Sequence, residues 1–79
     1  MKVATKEPEH IAYLVGEILH TCRDEQSRWF YTKVARLLPD EVIFRFLAEI
    51  RQDASITNRG AVFTAKVKAY LSRHTAKTG

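Results

Sequence analysis

A single cysteine, Cys22, leaves this chain unable to close an internal disulfide and points to a reducing compartment such as the cytoplasm. Only two prolines and three glycines punctuate the sequence, too few for a turn-rich sheet. No apolar run approaches the roughly 18 residues that a membrane-spanning helix needs. The stretch Met1–Glu7 also lacks the uninterrupted apolar core of a secretory signal. The expectation is a soluble, cytoplasmic protein without a membrane partner.

Patterns that carry chemistry are equally scarce. There is no glycine-rich phosphate loop, no Gly-x-Ser-x-Gly and no nucleophile beside an evident base, so neither catalysis nor a cofactor is expected. His10, His20, Cys22 and His74 form no i, i+4 histidine pair and no Cys-x-x-Cys, so no metal site is expected. The acids read as helix chemistry: Asp40 and Glu41 open a helix, and Arg45 is placed to pair with Glu49 on its surface.

What is present is helical periodicity. The 79 residues, 46% of them hydrophobic, suit one small domain whose core is compact or shared with a partner. Ile11, Leu14, Val15, Ile18, Leu19 and Cys22 repeat as one buried helical face, and Pro8 suits a first turn; a helix is predicted over 8–22. The apolar pattern resumes out of phase at Phe30, Val34, Leu37 and Leu38. That slip predicts a break near Asp24, which can cap a second helix over 25–38. Pro39-Asp40-Glu41 signals a third start, and Ile43, Phe46, Leu47 and Ile50, widened by Val42 and Phe44, make its stripe over 40–53. Asn58 is a good cap for a fourth helix over 59–73 carrying Phe63, Val67, Tyr70 and Leu71, with small Gly60 and Ala61 allowing close packing. The predicted fold is an all-α, compact bundle of four short helices in a single domain, 1–79, with a helix-turn-helix-like array as the alternative. Residues 1–7 and 75–79 are expected to be flexible.

The net charge of +4 is unevenly spread. Residues 1–23 balance, residues 24–58 carry a net of −1, and residues 59–79 carry Arg59, Lys66, Lys68, Arg73 and Lys77 with no acid. Arg59, Lys66 and Arg73 recur every seven residues and drift only about 20° per heptad, so they form one ridge beside the apolar stripe. Such a ridge attracts a phosphate backbone, because each neutralised phosphate releases counterions. It also suits the negative end of its own helix dipole, or an acidic protein surface. In Arg28-Trp29-Phe30-Tyr31, Phe30 belongs to the predicted buried stripe, so Trp29 or Tyr31 should reach solvent. With Lys33 and Arg36 beside Trp29, base stacking stands against simple closure of the core.

Ala35-Arg36-Leu37-Leu38-Pro39-Asp40-Glu41-Val42-Ile43 and Ile56-Thr57-Asn58-Arg59-Gly60-Ala61-Val62-Phe63-Thr64-Ala65-Lys66-Val67-Lys68 together resemble the C-terminal helical portions of some plasmid and phage replication proteins. There, a helix with a short acidic tract precedes an Asn-Pro-Gly-Ala-Tyr-Phe-Thr-like lead into a basic helix. This sequence has Arg59 in place of that Pro and Val62 in place of an aromatic. The resemblance, over residues 35–68, implies a module that helps a replication or mobile-element protein engage DNA or a partner, through Arg59, Lys66 and Lys68. The expected function is therefore non-enzymatic nucleic-acid binding, DNA before RNA, through the basic C-terminal helix. The rival is a protein-interaction domain that forms a homodimer or docks on a larger partner. An apolar patch at Val42 and Phe44 would mark that interface.

Overall fold

The structure, a computed structural model, describes residues 6–75. Four helices follow one another: α1 (Pro8–Cys22), α2 (Arg28–Leu37), α3 (Asp40–Gln52) and α4 (Arg59–Thr75). A single 3₁₀ turn, Glu25–Ser27, precedes α2. No strand occurs among the described residues. The fold is the predicted all-α small bundle.

Pro8 takes the first position of α1, where its missing N–H is not needed. Arg23 ends that helix in the left-handed conformation, φ 55°, with its N–H on the Leu19 carbonyl at 2.6 Å. The expected break is therefore here, but it takes more chain than predicted, because the 3₁₀ turn occupies residues 25–27. Asp24 does not cap with its side chain; its carboxylate instead accepts the Ser27 hydroxyl at 2.9 Å. Pro39 stands just before α3 rather than in its first turn, and its carbonyl accepts the N–H groups of Val42 and Ile43. Asn58 caps α4 as expected, its Oδ1 accepting the Ala61 N–H at 3.0 Å.

The four apolar faces meet in one core. Leu14, Ile18, Tyr31, Ile43, Leu47, Ile50, Phe63 and Val67 are inaccessible to solvent. Each such side chain contributes about 1.5–3 kcal/mol of transfer free energy. Helix α1 is the hub, packed on all three others, and α4 turns back onto α3.

Polar contacts fix the directions of the helices. At one end the Lys6 ammonium donates to the carbonyls of Ala35 and Leu38, both at 2.6 Å, and pairs with Asp40 at 2.9 Å. It thus caps the negative end of α2 and reaches the acid that opens α3. His10 of α1 bonds the same carboxylate. At the other end, Arg51 of α3 donates from Nε and Nη2 to the Thr21 hydroxyl, at 3.0 and 2.8 Å, and reaches Glu17. So α1 and α3 run parallel, while α1 and α2 run antiparallel. Lys6 is thus tied down within the stretch 1–7; residues 1–5 and 76–79 lie outside the described residues.

Candidate nucleic-acid interface

The cations of α4 divide into engaged and free-standing groups. Arg59 opens the helix and turns inward, Nη1 donating to the Thr21 carbonyl at 3.2 Å across 38 residues of sequence. It satisfies a carbonyl at the end of α1 that the helix leaves unpaired. Gly60 follows because the chain passes close to α2 there: a Cβ would stand 3.1 Å from the Tyr31 hydroxyl and 3.2 Å from an Asp24 oxygen. Lys66 pairs with Glu49 of α3 at 2.7 Å and lies over the Phe46 ring, 5.8 Å from its centre. That hydrogen bond holds the Glu49 carboxyl below its usual range. Arg45, expected on Glu49, rests over the Phe46 ring instead.

The predicted ridge of Arg59, Lys66 and Arg73 therefore does lie along one flank of α4, but two of its three members hold the bundle together. Lys68 lies about 200° from Lys66 around the helix. It lines a shallow groove with Asp24, Asn58, Gly60, Ala61, Thr64 and Ala65. Lys68 and Arg73 are the exposed cations of α4. His74 stacks on Tyr70, ring centres 4.1 Å apart. Lys77 lies outside the described residues.

Helix α2 presents the second group. Its core face is Tyr31, Val34, Ala35 and Leu38, not Phe30, Val34, Leu37 and Leu38 as predicted. Phe30 is half-buried and Leu37 is 64% exposed. The signal was available, since 31, 34, 35 and 38 also follow helical spacing, but small Ala35 carries little apolar weight beside Leu37. The Tyr31 ring meets the Phe63 ring edge-on at 5.6 Å, and its hydroxyl faces the Asp24 carboxylate at 3.5 Å. Trp29, in contrast, is 67% exposed. Lys33 stands over the indole, 5.9 Å from its centre, and Arg36 is exposed on the same side. Trp29, Lys33, Arg36 and Leu37 thus share the outward face of α2, a helix that contains no acid.

The remaining nucleophile is sealed. Cys22 is buried under Tyr31, and burial pushes its thiol up to about 11, so it is protonated at neutral pH. Burial likewise raises the Tyr31 hydroxyl. His10 and His74 are engaged elsewhere, and among the described residues no three His, Cys, Asp or Glu side chains cluster as a metal site. Val42 is buried and Phe44 half-buried beside Tyr13, so both widen the core face of α3 as predicted and leave no exposed apolar patch there. No described helix is long and apolar enough to cross a membrane. Comparison with protein-family models, curated proteins and solved structures gives no match to this chain.

Proposed function

We propose that the domain is a non-enzymatic nucleic-acid-binding module. The observation that carries this reading is the sign of the exposed charge on two helices. Helices α2 and α4 contain no acid, and Lys33, Arg36, Lys68 and Arg73 project from them into solvent. The acids belong to α1, α3 and the connections, so the charge is sorted by helix. A polyanion that meets α2 and α4 gains Coulomb attraction and releases counterions. The resemblance of residues 35–68 to replication proteins supports DNA as the polymer and points to a replication or mobile-element setting. Contacts of this kind fix position on the backbone and carry little sequence information.

Fluorescence anisotropy with labelled single- and double-stranded oligonucleotides, at two salt concentrations, tests the reading. Binding that weakens steeply with salt supports it; absence of binding at low salt overturns it. The informative substitution is K68A, since Lys66 also packs on Phe46 and its loss would disturb α3. K68A should weaken binding similarly on different sequences and shallow the salt slope by about one unit.

A second reading, a protein-interaction or assembly domain, is favoured by the exposure of Leu37 beside Trp29. Solution mass across a concentration series tests it, since self-association raises the mass as the chain is concentrated.

A further inference from the structure

We infer that the outward face of α2 is a stacking platform for an unpaired base, which makes single-stranded nucleic acid the substrate class; this rests on the nucleic-acid reading above. A tryptophan is costly to leave in water, and this core takes in every other large ring at least in part except Tyr13. Trp29 stays out, while Tyr31, two positions on, is wholly enclosed. The Trp29 ring meets the half-buried Phe30 ring at a steep angle, 73°, with centres 6.1 Å apart.

The surrounding charge suits a nucleotide. Lys33 hangs over the indole, and Arg36 lies two turns on, about 10 Å along the helix. A base that takes the place of the Lys33 ammonium over the ring would bring its phosphates toward this displaced cation and Arg36. The acids nearest in sequence on either side, Glu25 and Asp40, are paired with Arg28 at 3.0 Å and with Lys6 at 2.9 Å. Leu37 extends the apolar footprint on the same face. A paired base shows only its edges, whereas stacking on a side chain needs its open face, so this geometry selects single strands over duplex.

Trp29 is the only tryptophan, so its emission reads the contact directly. The full chain is titrated with a short oligothymidylate, following both label anisotropy and Trp29 emission, then with a duplex. The expected result is saturable quenching by the single strand. W29A should lower single-strand affinity roughly tenfold to a hundredfold, W29F should retain much of it, and circular dichroism should show both variants folded. Anisotropy binding without a change in Trp29 emission, with W29A equal to the parent, overturns the platform and leaves the wider reading standing. Quenching by the duplex alone overturns the choice of single strand. A concentration-dependent blue shift without nucleic acid, together with a dimer's mass, assigns the face to a second copy and overturns the platform. No binding of any oligonucleotide at low salt removes the platform together with the reading beneath it.

Discussion

Arg23 holds the one left-handed backbone conformation of a non-glycine residue among the described residues, and it does so where helices favour glycine. A Cβ in that conformation costs about 1–2 kcal/mol, part of which glycine loses again through its freer unfolded chain. R23G should therefore raise the unfolding free energy by about 0.5–1 kcal/mol in urea titrations; a loss would mean that the Arg23 side chain holds a contact of its own. Thr21 presents the opposite case. It is buried, its hydroxyl accepts two N–H groups of Arg51, and its carbonyl accepts Arg59. T21V keeps the volume but leaves those Arg51 donors facing a methyl group, at a cost of about 1–2 kcal/mol. T21S should remain close to the parent in the same titration. Neither residue is readable in the sequence. Thr21 meets partners 30 and 38 positions away, and nothing local distinguishes it from an ordinary helix threonine.

The helices themselves were largely legible, because each bound has a local cause. Pro8, the acids after Pro39 and the Asn58 cap act within one turn of the helix they start. The phase of α2 is ambiguous in the sequence, since 31, 34, 35 and 38 fit a helical face as well as 30, 34, 37 and 38 do. A 3₁₀ turn advances the chain by a different angle per residue, so the face that Tyr31 presents depends on geometry outside α2. The junction of α2 with α3 is marked by Pro39, but the Lys6 and His10 contacts that lock it come from far along the chain, and they carry a pH dependence. The Lys6 hydrogen bond, then that of His10, holds the Asp40 carboxyl below its usual 3.8. A group lowered on folding contributes its stability in full above the unfolded value. That contribution disappears as the pH falls through the lower, folded value. D40N should thus be less stable than the parent near neutral pH, with the difference closing below about 3.8. A melting-temperature series against pH on both proteins reads this, and a difference that persists at low pH would assign Asp40 another role.

At the scale of the whole molecule, sequence counting located the charge but not its availability. The run of cations without acids from Arg59 onward is visible by inspection; that Arg59 and Lys66 are spent on Thr21 and Glu49 depends on how α1 and α3 pack. The face of α2 is half legible, since Trp29, Lys33 and Arg36 stand out by type and spacing, while the apolar pattern places Leu37 in the core. The exposure of Trp29 has a further consequence for anyone who unfolds this protein. Its indole already meets solvent in the native state, so melting the bundle changes its surroundings little. Trp29 emission should follow denaturation with a small amplitude, while far-UV circular dichroism reports the loss of four helices in full. A weak fluorescence transition here would signal an insensitive reporter, not residual structure or a populated intermediate. A tryptophan substituted for the enclosed Phe63 or Tyr31 would be needed to watch the core itself come apart.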